Sequence, residues 1–217
     1  MEPRADDGCD LEQRFREGDE QALAALFSVH RARLWRMVQF RFDPRLSGRV
    51  DPDDVLQEAY LAARQRIDHY AQDGFTSPFI WLRLIVQQTL VDVHRRHLGA
   101  QARDAGREVP LSRPGNSPAT SASLALGLVG DWTSPSQAAA RGELFDTVRQ
   151  AIETMDPVDQ EILALRHFEE LTNTETAAVL GIQQKAASIR YVRALRRLKT
   201  LLGQWPGLGD GIDHDRR

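Results

Sequence analysis

Apolar residues along most of this chain return at three- and four-residue steps, the spacing of one face of an α-helix, with little β-branched alternation. From about Leu11 to Leu98 this pattern is nearly continuous. In "GDEQALAALFSVHRARLWRMVQFRF", Leu23, Leu26, Phe27, His30, Leu34 and Val38 define one such face. Val55, Ala59, Ala62 and Ala63 do the same in "DPDDVLQEAYLAARQRI", where Asp51 followed by Pro52 is a favourable helix start. A third segment, "SPFIWLRLIVQQTLVDVHRRHL", offers Ser77 as a cap and Pro78 for the first turn. Trp81, Leu82, Ile85, Leu90 and Val93 are its apolar positions.

The periodicity stops between Gly99 and about Pro135, where "GREVPLSRPGNSPATSASLALGLVGDWTSPS" is rich in Pro, Gly, Ser and Thr. That composition predicts a flexible linker in which "LALGLV" and Trp132 are suited to local packing. A second helical block runs from Gln137 to Leu202, followed by a loose tail. The expected fold is all-α, with two small helical domains. They span 11–98 and 137–202, joined by a linker over 99–136 and ending in a tail over 203–217.

The second block carries the most specific signal. Thr172 and Glu175 have the spacing of a reciprocal capping box. The helix that they start, Asn173–Leu180, ends at Gly181, a residue that takes the left-handed conformation at helix ends. After Ile182 a longer helix follows, with Ala186, Ala187, Ile189, Val192, Leu195 and Leu198 expected inward. A short helix, a glycine turn and a longer helix make a helix-turn-helix.

Charge divides sharply across this block. Arg141, Arg149 and Arg166 face nine acids between Ala138 and Glu175, whereas no acid occurs from Gln183 to Leu202. A helix that reads the major groove needs polar groups near its N-terminus for base edges and cations further along for phosphates. Gln183, Gln184, Lys185 and Ser188 fit the first role; Arg190, Arg193 and Arg197 fit the second.

The chain as a whole is not basic: 28 Lys and Arg stand against 31 Asp and Glu, a formal charge of −3 in 217 residues. This argues against a protein that simply coats nucleic acid. Cys9, the sole cysteine, excludes an internal disulfide and a multi-cysteine zinc site, and points to a reducing, cytoplasmic setting. The start of the chain lacks the pattern of a secretory signal, and no apolar run approaches the roughly 18 residues of a membrane span.

The first block places Asp51, Asp53, Asp54, Gln57 and Glu58 at one helix start. Acids there complement the helix dipole, and with Gln57 they also make a patch for a basic or amide-bearing partner helix. His94 and His97 stand three apart, but Arg95 and Arg96 beside them oppose a cation, so no metal and no cofactor is expected. His69, Tyr70, Phe75, Phe79 and Trp81 lie near Arg64, Arg66 and Arg83, a mixture suited to stacking unpaired bases. Phe79 and one face of Trp81 also suit a core.

The runs "DDVLQEAYLAA", "FIWLRLIVQQTLVDVHRR" and "MDPVDQEILALRHFEELTNTETAAVLGIQQKAASIRYVRALRRLKTLL" together resemble a bacterial RNA polymerase sigma factor. The resemblance is to the extracytoplasmic-function (ECF) subfamily of the sigma-70 family. It implies a transcription initiation factor without enzymatic activity, whose partners are core RNA polymerase and promoter DNA, with an anti-sigma protein as a further candidate. It implies polymerase docking by Asp54, Gln57 and Glu58. Reading and melting of the minus-ten element would fall to Trp81, Gln88, Asp92, Arg95 and Arg96, with His69, Tyr70 and the loop to Ser77 capturing a flipped base. The minus-thirty-five element would be held by Gln183, Gln184, Lys185, Ser188, Arg190, Arg193 and Arg197. The chain departs from the family at Gln88, where Asn is usual, and at Gln183, where a small polar residue is usual, so no promoter sequence carries across.

Two alternatives stand beside this expectation. One is a helix-turn-helix regulator that binds duplex DNA without joining polymerase, in which the Asp54, Gln57 and Glu58 patch has no purpose. The other is a hydrolase using the carboxylates with His94 and His97, which lacks a nucleophile–base pair.

Overall fold

The computed structural model describes residues 5–70, 77–102, 123–125, 127 and 138–203. The protein is all-α, and no strand occurs among the described residues. The chain divides into two compact units, residues 1–108 and 109–217.

The N-terminal unit contains α1 (Ala5–Arg16), α2 (Glu20–Arg41), α3 (Pro52–Arg66) and α4 (Pro78–Ala102), with short 3-10 turns at Pro44–Leu46 and Ile67–His69. At α2 and α3, side chains near the helix start satisfy backbone donors that a helix leaves open. Asp19 caps α2, its carboxylate accepting from Gln21 N at 2.7 Å and Ala22 N at 3.3 Å. Arg14 reaches the same carboxylate from α1 at 2.6 Å and, first among several causes, holds its pKa below the usual range. At α3, Asp51 and Asp54 cap each other's backbone N–H at 2.9 and 3.0 Å, and Pro52 occupies the first turn.

The fourth helix is the buried axis of this unit. Phe79, Ile80, Trp81, Leu82, Ile85, Val86, Leu90 and Val93 are all buried, against Leu23, Leu34, Met37 and Val38 of α2 and Val55, Leu56, Ala59 and Ala63 of α3. Phe15 of α1 closes the cluster with Tyr70 and Trp81, packing edge-on at ring distances of 4.6 and 5.6 Å. Helix formation thus begins before Leu11, and α1 supplies part of the core.

The C-terminal unit contains α5 (Ala138–Glu153), α6 (Pro157–Leu163), α7 (Asn173–Leu180) and α8 (Gln184–Leu202). A π-helical turn, Ala164–Phe168, prolongs α6. Asp156 caps α6 at 2.8 Å from Val158 N. The capping box forms as spaced, with Glu175 N to Thr172 Oγ1 at 3.2 Å and Thr172 N to Glu175 Oε2 at 2.8 Å. Gly181 has φ +63°, where a Cβ would be strained, and turns the chain from α7 into α8.

One side of α8 packs against α5, α6 and α7. Its buried residues are Ala187, Ala194, Leu198 and Leu202, and this corrects the inward set expected from periodicity. Ile189, Val192 and Leu195 lie outward, at 44%, 45% and 38% exposure. Two alanines and two leucines, rather than the β-branched residues, form the inward side of α8.

Part of the expected linker joins this core. Leu124 and Ala125 are fully buried, and Leu124 faces a small cavity walled by Ile152, Leu163, Phe168 and Leu198. A Cβ built on Gly127 would fall 2.2 Å from Phe168 Cε1, so only glycine fits there. Trp132 lies outside the described residues. We predict that Leu124→Ala lowers the stability of this unit by about 3 kcal/mol, the usual cost of a cavity at a buried leucine. Urea unfolding of the full chain checks this; an unchanged transition would mean that the contact contributes nothing.

Candidate polymerase- and DNA-binding surfaces

Asp54, Gln57 and Glu58 are exposed along the outer side of α3. Asp54 has a structural duty as well, because its carboxylate accepts the Asp51 N–H. Gln57 borders an apolar groove of about 440 Å³ between α2 and α3, lined by Phe27, Leu56, Tyr60 and Leu61 with the ion pair Arg31–Asp53 at its edge. Leu61 is 56% exposed in this groove, which combines apolar floor with polar rim as helix-binding surfaces do.

Glu58 points instead into a second cleft, between α3 and α4. This cleft, of about 460 Å³, is lined by Arg66, Gln88, Thr89, Asp92, Arg95 and Arg96 as well as by Glu58 and Ala62. Arg96 pairs with Glu58, and Arg66 donates to Gln88 Oε1 at 2.6 Å. Gln88, Asp92, Arg95 and Arg96, identified separately along the sequence, therefore form one wall. The cleft presents guanidinium donors and amide groups, suited to phosphate oxygens and to the hydrogen-bonding edges of bases.

Two sequence-expected contacts do not lie on this surface. Tyr70 is 1% exposed and Trp81 is 2% exposed, with their rings 5.5 Å apart and Phe15 against both. They are core, and the expectation that they stack on bases is corrected. Burying two aromatic rings withdraws far more apolar area from water than open stacking on a base would, and Phe15 supplies the third wall. His69 is exposed at the end of its 3-10 turn. The loop 71–76, including Phe75, lies outside the described residues.

His94 is half-buried beside Asp43 and Arg45 of the Pro44–Leu46 turn, and its Nε2 is buried without a hydrogen-bond partner. Burial pushes its pKa below the ordinary 6.5; Asp43 opposes this and Arg45 adds to it. His97 does not join it in a ligand set: no group of three or more His, Cys, Asp or Glu is placed to hold a metal among the described residues.

On the C-terminal unit, Gln183, Gln184, Lys185 and Ser188 are exposed at the start of α8. Gln184 Nε2 donates to Thr174 Oγ1 at 2.9 Å, and Asn173 Nδ2 donates to the Gln184 carbonyl at 3.0 Å, so the two helices of the motif are latched together. Arg193 is exposed and Arg190 half-buried; both, with Arg197, lie close enough to Asp159 of α6 to lower its pKa, against a net rise caused first by burial and then by Asp156. Arg197 also donates to the Thr154 carbonyl at 3.2 Å, bracing the end of α5. Arg196, absent from the expected contacts, is exposed between Lys185 and Lys199 along the same side. Its signal was present in the acid-free run.

An acid-free helix presented by a capped helix-turn-helix defines a protein of the DNA-binding class. Comparisons narrow this. Residues 145–198 match the family described as Sigma-70, region 4. The chain is 26% identical over 197 residues to the RNA polymerase sigma factor NccH of Alcaligenes xylosoxydans xylosoxydans, covering 88% of this chain and 92% of that protein. It is 29% identical to the RNA polymerase sigma factor CarQ of Myxococcus xanthus, over 88% of this chain and 95% of that one. The ECF RNA polymerase sigma factor SigD of Mycobacterium tuberculosis is 28% identical, over 84% and 77%. Among solved structures, CnrH in complex with the cytosolic domain of CnrY matches with a TM-score of 0.50 and 23% identity, covering 89% and 96% of the two chains, a likeness of fold. Residues 145–198 thus match region 4 of the sigma-70 family, and over most of its length the chain is similar to RNA polymerase sigma factors, among them ones of the ECF type.

The buried imidazole sets a pH dependence. Because the folded pKa of His94 lies below 6.5, the unfolded chain takes up the proton first as pH falls. The histidine's contribution is fully present above pH 6.5 and is lost as pH drops from there through the folded value. His94→Gln is expected to flatten this part of the stability–pH curve, measured by urea denaturation across that range; an unchanged slope would assign it elsewhere.

Proposed function

We propose that this chain is a transcription initiation factor that joins core RNA polymerase and directs it to promoters, acting as a specificity subunit without chemistry of its own. The observation that carries this function is the division of exposed charge. Acid and amide groups line the outside of α3, and a helix with no acid from Gln183 to Leu202 is presented by the helix-turn-helix. A DNA regulator acting alone would have no use for the exposed acid–amide patch at Asp54, Gln57 and Glu58, which DNA phosphates repel.

Each surface has a task. Asp54, Gln57 and Glu58, with the apolar groove beside Gln57, dock on a helical element of the polymerase. Gln88, Asp92, Arg95 and Arg96 hold the minus-ten element, in which extruded bases regain hydrogen bonds on the protein and phosphates meet the guanidinium groups. Exposed His69 stands beside this strand. Gln183, Gln184, Lys185 and Ser188 address base edges of the minus-thirty-five element, while Arg190, Arg193 and Arg197 meet its phosphates. The two units, residues 1–108 and 109–217, act as the two DNA-contacting domains. The working place of such a factor is the cytoplasm; consistently, no described helix is long and apolar enough to cross a membrane.

Two tests follow. Asp54→Lys with Glu58→Lys is expected to abolish co-purification with core polymerase while the circular dichroism spectrum stays helical; retained co-purification overturns the docking assignment. Arg190→Ala and Arg193→Ala are expected to weaken duplex binding across all sequences and to reduce its salt dependence. Gln184→Ala and Lys185→Ala should instead alter sequence preference, and equal behaviour of all four would remove the division between phosphate and base contacts.

A further inference from the structure

The outward residues of α8 are not only cationic. Ile189 and Val192, exposed at 44% and 45%, sit one turn apart on the side that also carries Lys185, Arg193 and Arg196. Neighbours at three- and four-residue spacing share a helix face, so Lys185, Ile189 and Arg193 form one row and Val192 and Arg196 the next. Leu195, the third exposed aliphatic of the helix, borders the cavity beside Leu124 and has a packing role. Neither Ile189 nor Val192 lines any of the three cavities described above.

Single exposed aliphatics are ordinary. Two adjacent ones inside a ring of cations, on the outer face of a groove-reading helix, have a definite chemical match. In the major groove the one apolar group that distinguishes a base is the C5-methyl of thymine, and branched aliphatic side chains contact it. Cations around the pair draw in the phosphates on either side, while a protein partner with a matching apolar patch would have to bury these cations. We infer that Ile189 and Val192 read thymine methyl groups in the minus-thirty-five element, giving this factor a sequence preference set partly by apolar contact. This rests on the assignment of α8 as the helix that enters the groove.

The test removes the methyl alone. Full-length chain reconstituted with core RNA polymerase is used to enrich duplexes from a random pool, and the enriched site is resynthesised with deoxyuridine in place of each thymidine in turn. One or two upstream positions are expected to lose about four-fold in affinity, the value of one buried methyl-sized group. In the Ile189→Ala, Val192→Ala variant that loss should vanish, while thymidine and deoxyuridine duplexes bind alike. No deoxyuridine penalty with the wild-type chain, or an equal penalty with the variant, overturns the inference and leaves the initiation function standing. A variant that loses polymerase but keeps its thymidine preference assigns the face to a protein contact and also overturns it. If the wild-type assembly enriches no duplex, the initiation function itself fails.

Discussion

The surface that α8 offers depends on how narrowly this helix is held. Only Ala187, Ala194, Leu198 and Leu202 of α8 are buried, and the first two are small enough to bring α8 close to the helices beneath it. The turn at Gly181 sets its direction, the Gln184–Thr174 and Asn173–Gln184 hydrogen bonds pin its start, and the Arg197–Thr154 bond steadies it further along. None of these contacts is large, since an exposed hydrogen bond contributes on the order of 1 kcal/mol. Their value is geometric: a helix gripped along one edge keeps the remainder of its circumference available. A deeper seat would bury the cations, at a desolvation cost.

The same economy explains what could and could not be read from the sequence. Helix starts are local matters of side-chain oxygen and backbone N–H a few residues apart, so the capping by Asp51 and Thr172 and the stop at Gly181 were legible. The inward face of α8 was not, because two apolar ladders run along it. Ile189, Val192 and Leu195 make the more hydrophobic one, and residue-by-residue hydrophobicity selects it. The structure selects the ladder of Ala187, Ala194, Leu198 and Leu202, since what packs inward depends on the partner helices as much as on α8.

Tyr70 and Trp81 failed by the converse route. Aromatics among cations form a local pattern that suits unpaired bases, yet the residue that withdraws them from solvent is Phe15, far away along the chain. No window around Trp81 contains that information. The buried Leu124–Ala125 pair is a third instance: within a Pro-, Gly- and Ser-rich stretch, a few apolar residues suffice to attach a segment when a groove of matching size awaits it. The fold class was legible because periodicity is local; burial of particular aromatics was not, because it is settled by long-range contact.

Charge division is less complete in three dimensions than along the chain. Glu58, on the acidic side of α3, pairs with Arg96 on the basic side of α4, and both line one cleft. Both side chains are about half exposed, and pairs of that kind contribute roughly 0–1 kcal/mol. Such a pair does little to hold α3 against α4, whose buried residues already do so. It keeps two strongly charged groups satisfied at a small cost of release. Either group gives up little by parting from the other. The acidic side of α3 and the basic side of α4 are therefore adjacent at this cleft, whereas the cations of α8 belong to a separate unit.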